Sequence, residues 1–249
     1  MEAIGFATLY TKPRRLEGQD NVSEVWVADA LTHEGDVRLY VKKTSKEEIM
    51  AECLASLLAK SLGLPVAKAY IVTDPGDLLG GGVFAGSEDA GAPSIKQWLN
   101  LHDQTVLKML AGWKKLHEVA LFDEWIANPD RQGGNLLWGG GEEWVLIDHA
   151  MALWSALGKP HPDMPFQNIL AGFISDIEKD MGPARLRQLS GEFAERCSEI
   201  DHELIINASQ SQHIGMYERC EVTLSSLETR LSMLPALLSR HGNQADFLP

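Results

Sequence analysis

Two aspartates and an asparagine near the middle of the chain have the types and positions that catalysis needs. A helical pattern ends at Asn128, because a residue before a proline is pushed out of the helical region, so Asp130 lies in a loop. Asn135 opens the next apolar run, and Asp148 follows the apolar run of residues 144–147. Loops and strand ends are where catalytic side chains usually project from a scaffold. These three residues are therefore the first candidates for a reactive site.

The three side chains suit magnesium-dependent phosphoryl transfer. One carboxylate can orient an attacking hydroxyl and accept its proton, while an asparagine and a second aspartate can hold magnesium against the phosphates. In kinases the catalytic aspartate and the asparagine lie five residues apart on one loop, and the metal-binding aspartate follows a strand. Asn135 comes five residues after Asp130, and Asp148 comes thirteen residues after Asn135. The competing interpretation is that the three residues cap helices and turns, for which Asp and Asn are common choices.

A lysine upstream would complete such a site. Lys42 and Lys43 end the β-rich run of residues 37–43, and Glu52 lies in the helical pattern that follows. A kinase needs a lysine on a strand to bind the α- and β-phosphates of ATP, and a helix glutamate to hold that lysine. Adjacent strand residues face opposite sides, so one lysine can point into the site while the other points away. The alternative is that all three residues are ordinary surface charges, which is the usual fate of Lys and Glu.

The elements that would position these residues begin with a β-rich part. Residues 24–30 and 37–43 are separated by turn residues and predict a hairpin. Ser45 and Glu48 form a capping-box pattern that begins a helix, and Gly63 ends it. The weaker alternation that follows predicts a returning strand before a glycine-rich segment.

The rest of the chain is predicted to contain a strand, a linker and then a mainly helical part. The predicted segments are a returning strand over 66–72, a linker over 74–93, a helix over 104–127, a hairpin from 135–138 and 144–147, and helices after residue 165. This order indicates an α+β fold, with a small β-rich N-lobe carrying one helix and a larger, mainly helical C-lobe. We place the boundary between residues 1–87 and residues 88–249.

Composition narrows the class of protein and its partners. The formal net charge of −13 disfavours nucleic acid as a direct partner, because phosphate backbones bind basic surfaces. The three cysteines are far apart and form no C-x-x-C pair, which predicts neither a zinc site nor a disulfide framework and favours a reducing compartment. The N-terminus has no basic segment typical of a signal peptide, and the chain has no apolar run long enough to span a membrane. We therefore expect a cytoplasmic protein with no membrane partner.

The central stretch resembles the HipA-like kinase family, whose core reads approximately FDxxxxNxDR, then NLLW, then WLIDHxxAL. The matching residues are Phe122-Asp123, Asn128, Asp130-Arg131, Asn135–Trp138, Leu146–His149 and Ala152-Leu153. Upstream, the run YVK at 40–42, Glu52 and the run LGLPV at 62–66 match as well, and residues 14–23 resemble the phosphate-covering loop more loosely. Gln132 stands where the family founder has a histidine, and the D-F-G motif of general kinases is Asp148-His149-Ala150 here.

The resemblance implies a protein-kinase-like fold, with ATP and Mg²⁺ as cofactors, and a role for each matching residue. Asp130 would be the catalytic base, and Asn135 and Asp148 the metal ligands. Lys42, chosen over Lys43 by the family pattern, would bind ATP phosphates, and Glu52 would position it. The remaining ATP-binding residues would be Gly18 and Ser23 in the phosphate-covering loop, with Ser23 open to autophosphorylation, and Val83, Phe84 and Ala85 in the hinge that meets adenine.

The resemblance favours a Ser/Thr protein kinase of a toxin-like type, with a protein substrate and an antitoxin-like partner as candidates. A pseudokinase that binds nucleotide without transfer is a second interpretation, which the complete set of Asp130, Asn135 and Asp148 disfavours. A small-molecule phosphotransferase is a third, although the H-G-D that usually precedes the base in that class is replaced by Asn128-Pro129-Asp130.

Overall fold

Five strands near the N-terminus of the computed structural model form a ladder that closes on itself. The structure describes residues 1–16, 24–101, 105–154, 166–178 and 182–238. The strands of this part are β1 (Gly5–Leu9), β2 (Arg14–Arg15), β3 (Val25–Thr32), β4 (Gly35–Lys42), β5 (Ala69–Thr73) and β6 (Val83–Glu88). They follow the order β1-β5-β6-β4-β3-β2, and β1 also pairs with β3. Strands β1, β5, β6, β4 and β3 therefore enclose a small barrel.

The interior of the barrel is apolar. It is filled by Ala7, Leu9, Ala28, Ala30, Leu39, Val41, Tyr70, Val72 and Phe84, all of them buried. Because side chains alternate along a strand, Lys42 follows inward-facing Val41 and points out of the barrel. Lys42 lies opposite Ala85 in the β4–β6 ladder, so the two residues share the outer face.

Helix α1 (Lys46–Ser61) covers that outer face. Ser45 accepts a hydrogen bond from the backbone of Glu48, and the Glu48 side chain accepts one from the backbone of Ser45, which confirms the predicted capping box. Every residue from Ile49 to Ala59 is buried. The helix packs in one apolar cluster with residues of the helical part, so it lies between the barrel and the rest of the chain.

The remainder is mainly helical, with one short hairpin. Its elements are α2 (Ile95–Asn100), α3 (Thr105–Ala111), α4 (Leu116–Trp125), β7 (Leu136–Trp138), β8 (Trp144–Leu146), α5 (Ile169–Ile177), α6 (Pro183–Ser198), α7 (His202–Ala208), a 3₁₀ helix (Ser211–Ile214), α8 (Tyr217–Leu231) and α9 (Leu234–Leu238). Helix α4 is buried over most of its length and contacts α5, α6, α8 and α9. In the described part of the chain, no helix is long and apolar enough to cross a membrane.

Backbone hydrogen bonds tie the segment after α1 to the hairpin β7–β8. Leu146 donates to Pro65 and accepts from Ala67, at distances of 2.8 and 3.0 Å. The strand that precedes Asp148 is thus fixed to the chain that leaves α1. A movement of α1 must move the end of β8 with it or break these bonds.

Most predicted elements are confirmed, and two are wrong. The hairpin β3–β4, helix α1, the returning strand β5, the hairpin β7–β8 and the mixed α+β class all appear. The predicted linker over 74–93 is wrong in its middle, because β6 is paired with β4 and β5 on its two sides. The helix predicted over 104–127 is interrupted between Ala111 and Leu116.

Two separate structural reasons account for the glycines that suggested a linker. Gly80, Gly81 and Gly82 have φ angles of 92°, 69° and 105°, a region that glycine adopts without strain, and they form the turn between β5 and β6. Gly86 points into the barrel, where an added Cβ would lie 2.5 Å from Cγ2 of Val72. A clash at that distance leaves room for glycine alone, so this glycine is a packing residue within a strand.

Candidate active site

The loop that carries Asp130 begins at the end of α4. The backbone N–H of Asn128 donates to the carbonyl of Asp123 at 2.8 Å, after Ala127 has turned into the left-handed region with φ 51°. The Asn128 side chain donates to Asp123 Oδ1 at 2.8 Å and accepts from the backbone N–H of Asp130 at 3.2 Å. One carboxamide therefore joins the last turn of the helix to the loop, and it sets the direction in which the loop leaves.

Arg131 holds the loop from inside. Its side chain is fully buried, and it forms a two-pronged ion pair with Asp123, with Nε to Oδ2 at 3.0 Å and Nη2 to Oδ1 at 3.1 Å. Nη1 donates to the carbonyls of Asn135 and Ile147, at 2.7 and 2.9 Å. Nη2 also donates to Nε2 of His149 at 2.7 Å. One guanidinium thus binds α4, the loop and the chain on both sides of Asp148.

Asp130 and Asn135 face each other across the loop. Asn135 Nδ2 donates to the backbone carbonyl of Asp130 at 2.7 Å and to its Oδ2 at 3.0 Å, while Gln132 donates to its Oδ1 at 3.1 Å. Burial and the nearby charge of Asp148 raise the pKa of Asp130, and the hydrogen bond from Asn135 opposes this rise. A carboxylate with a raised pKa is a better proton acceptor than an exposed aspartate.

Lys42 reaches this loop from the barrel and forms an ion pair with Oδ2 of Asp148. Burial by itself would lower the pKa of Lys42, but the charges of Asp148 and Glu52 outweigh it, so the pKa is raised and the lysine stays protonated. Lys43 is exposed, and its ammonium group lies near Gly80 in the turn between β5 and β6, away from Asp148. Asp148 has φ 58°, a left-handed conformation that aspartate tolerates better than most residues.

Glu52 lies on the side of α1 that faces Lys42, but it contacts the residue after Asp148. Its Oε2 accepts a hydrogen bond from the backbone N–H of His149 at 2.9 Å and lies 3.7 Å from Nδ1 of that side chain. Burial raises the pKa of Glu52, yet the hydrogen bond from His149 and the charge of Lys42 prevail and lower it to about 2. The expectation that Glu52 directly pairs with Lys42 needs correction: among the described residues, the ion-pair partner of Lys42 is Asp148.

Comparison with known proteins identifies the family of this chain. The family model described as HipA-like kinase matches residues 31–230, which is most of the chain. The chain belongs to the HipA-like kinase family. It is therefore a kinase by family. The matched range includes the residues that carry the resemblance from Tyr40 to Leu153, but not the loosely similar residues 14–23. A search of curated proteins found no match.

Two solved structures match the chain at low sequence identity. The first is the proinflammatory kinase CtkA of Helicobacter pylori, with a TM-score of 0.54 and 13% sequence identity over 95% of this chain and 96% of that one. The second is an N-terminal 618-residue fragment of LepB from Legionella pneumophila, with a TM-score of 0.48 and 15% identity over 80% of this chain and 44% of that one. At this level of identity, CtkA supports the kinase-like fold of this family member and carries no information about its substrate.

Not every residue predicted for the nucleotide site lies beside Lys42. Val83, Phe84 and Ala85 lie inside β6, and the connection towards β7 starts after Glu88. Ala85 is on the same face as Lys42, but the Phe84 side chain is buried inside the barrel and is not accessible to a ligand outside it. The residues predicted for the hinge therefore lie within β6, before the connection towards β7. Gly18 and Ser23 lie outside the described residues.

Three residues of the network were predicted only as matches to the family and not as parts of the site. Asp123, Arg131 and His149 are almost completely buried, and each of them makes polar contacts with another of the three or with the loop. The signal that could have found Asp123 is its place inside an apolar helical run, since a buried charge needs a partner. That partner, eight residues later in the sequence, could not be chosen from spacing alone.

The donor set fits magnesium bound with a nucleotide. The side-chain N–H groups of Asn135 are used on Asp130, and no described residue donates to the side-chain oxygen Oδ1, so that oxygen can face a cation. Asp148 adds a carboxylate close enough that its charge, after burial, is a cause of the raised pKa of Asp130. In the described part of the chain, no three His, Cys, Asp or Glu side chains form a metal cage. Magnesium characteristically uses one or two protein ligands and completes its shell with water and phosphate oxygens.

Proposed function

We propose that this HipA-like protein transfers the γ-phosphoryl group of ATP to a Ser or Thr hydroxyl of a protein substrate. The observation that carries the proposal is the meeting of Lys42 from the barrel with Asp148, beside Asp130 and Asn135. Barrel and α1 would act as the N-lobe and the helical remainder as the C-lobe, with the nucleotide between them. Bound magnesium would supply positive charge that neutralises the phosphates.

Each residue of the proposed site then has a defined task. Lys42, held protonated, binds the phosphates, and Asn135 and Asp148 are the residues that would hold the metal. Asp130 accepts a hydrogen bond from Asn135 through Oδ2 and from Gln132 through Oδ1, which fixes the direction of its carboxylate. That carboxylate orients the acceptor hydroxyl and takes its proton as the hydroxyl oxygen attacks phosphorus and the bond to ADP breaks.

Nucleotide binding is tested by calorimetry with ATP and magnesium on wild type, Lys42→Met and Lys43→Met. Wild type and Lys43→Met should bind alike, because Lys43 is exposed and its ammonium group lies near Gly80, away from Asp148. Lys42→Met should weaken binding by roughly 10- to 100-fold, the scale of losing a charge-assisted hydrogen bond. Equal affinities for all three proteins, or no binding by folded wild type, would contradict the proposed site.

The acceptor is tested separately. Labelled ATP, magnesium and wild-type protein are incubated with a cell lysate, and Asp130→Asn serves as the blank. We expect the label on a Ser or Thr residue of a protein. The net charge of −13 would favour a substrate segment that is basic. Label on a small molecule would replace the protein acceptor, and nucleotide binding without any labelled product would favour a pseudokinase.

A further inference from the structure

The contacts of Glu52 connect α1 to the chain that follows β8. Its carboxylate is buried and accepts the backbone N–H of His149 at 2.9 Å, although the two residues are 97 positions apart. Lys42, by contrast, influences Glu52 through charge alone, since the contact of its ammonium group is with Asp148. Glu52 is therefore hydrogen-bonded directly to the backbone next to Asp148.

The His149 ring continues this connection to the loop of Asp130. Arginine can only donate hydrogen bonds, so the 2.7 Å contact from Arg131 Nη2 requires that Nε2 of His149 accepts. In the neutral ring the proton then resides on Nδ1, the nitrogen that faces Glu52 at 3.7 Å. Arg131 is itself fixed by Asp123 and by the carbonyls of Asn135 and Ile147. The tautomer and orientation of His149 are thus determined from the loop side.

We propose that His149 is a positioning residue that couples α1 to the loop of Asp130. In this arrangement Glu52 acts on the Asp148–His149 segment, and only indirectly on Lys42. The inference rests on the proposed function, because its consequence is that Asp148 is held where it can serve a metal. His149 does not touch the nucleotide, and its loss should show in the magnesium requirement before it shows in ATP affinity.

The first experiment compares Glu52→Gln with Glu52→Ala. Glutamine keeps an oxygen that can accept the N–H of His149 but removes the charge felt by Lys42, whereas alanine removes both. The magnesium concentration for half-maximal turnover at saturating ATP should stay near wild type in Glu52→Gln and rise roughly 2- to 30-fold in Glu52→Ala, the range expected for lost coupling. Glu47→Gln, on the first turn of the same helix, is the control. Equal impairment of the two Glu52 variants would overturn the inference.

The second experiment tests the two nitrogen atoms of the His149 ring separately. The amide N–H of asparagine can replace Nδ1–H near Glu52 but leaves Arg131 without its acceptor, and the amide oxygen of glutamine does the reverse. Both His149→Asn and His149→Gln should raise the magnesium requirement, and ATP affinity measured without magnesium should change less than 2-fold. A fall in maximal turnover with an unchanged magnesium requirement would show a structural role only and overturn the inference.

A ligand-free measurement keeps the inference separate from the proposed function. Urea unfolding of the single and double variants at Glu52, His149 and Lys42 gives two coupling energies. The pair Glu52–His149 should be more strongly non-additive than the pair Glu52–Lys42. If wild type binds magnesium and nucleotide but this order is reversed, the inference fails while the kinase proposal stands. If wild type binds neither, the proposed function fails, and the positioning role fails with it.

Discussion

The interior of the barrel and the loop around Arg131 are both shielded from water, but they are built from opposite chemistry. The barrel interior contains aliphatic and aromatic side chains on five strands. The loop is organised around Asp123 and Arg131, two charged residues with no exposed surface. All five N–H donors of Arg131 have a partner, in Asp123, Asn135, Ile147 and His149.

The difference shows what each region can specify. Apolar packing is non-directional, and it rewards any arrangement that fills the volume. Hydrogen bonds from a planar guanidinium are directional, and each one fixes an atom of its partner. Burying charges is costly unless they are paired, so the loop network is tolerated because it is complete. The barrel thus provides stability and shape, while the loop provides the positions of Asp130, Asn135 and Asp148.

The largest expected effect is on activity, and it separates phosphoryl transfer from nucleotide binding at two residues of the site. Asp130→Asn should lower phosphoryl transfer by roughly 10²–10⁴-fold, the usual scale for a general base, and leave nucleotide affinity nearly unchanged. Asp148→Asn should lower both, and asparagine tolerates the left-handed conformation at this position. Turnover and calorimetry on the two variants make the comparison. Full activity of Asp130→Asn, or identical behaviour of both variants, would show that the roles are wrongly assigned.

Removing the centre of the network should have the largest effect on stability. Arg131→Met leaves Asp123 buried without its ion partner, and we expect a loss of about 3–5 kcal/mol in the free energy of unfolding. Arg38→Met removes an exposed ion pair with Asp29 and should cost less than about 1 kcal/mol. Urea denaturation measures both. Similar losses for the two variants would mean that burial of the Arg131 network adds nothing to the free energy of unfolding.

Glu52 of α1, which contacts the residue after Asp148, should also make stability depend on acid, whereas the apolar interior of the barrel should not. The pKa of Glu52 is lowered from 4.5 to about 2, so its contribution to stability is complete above pH 4.5 and is lost as the pH falls towards 2. The stability difference between wild type and Glu52→Gln should therefore shrink on acidification, by on the order of 2–3 kcal/mol over the whole window. Denaturation of the metal-free proteins at several pH values measures it. A difference that does not change with pH would contradict the lowered pKa.

In the barrel, a single methyl group should be enough to disturb the packing. Gly86→Ala places a Cβ 2.5 Å from Val72, and we expect a loss of about 1–3 kcal/mol. Gly191→Ala is the matched control, because this glycine is in α6 with open space around it. That substitution should stabilise the helix by about 0.4–1 kcal/mol. Losses of stability in both variants would show that the barrel contact is not the cause.

Much of the local structure was predictable because it depends on neighbours in the sequence. The capping box of Ser45 and Glu48, the hairpin β3–β4 and the hairpin β7–β8 each involve residues close in the chain. The spacing of Asp130 and Asn135 belongs to the same class, since the two residues are five positions apart and their contact lies within one loop. Strand β6 was missed because Gly86 and the glycines of the preceding turn resemble a linker, and its partners β4 and β5 come from other parts of the chain.

The candidate residues, their order and their resemblance to a family can be recognised in the amino-acid sequence alone. Which of these residues meet depends on how the folded elements pack. Lys42 and Lys43 are equivalent in their local pattern, and the choice between them depends on which face of β4 is turned towards Asp148. Glu52 contacts the backbone of His149, 97 residues away, because α1 is packed between the barrel and the helical part. Such contacts follow from the packing of whole elements, which no local spacing encodes.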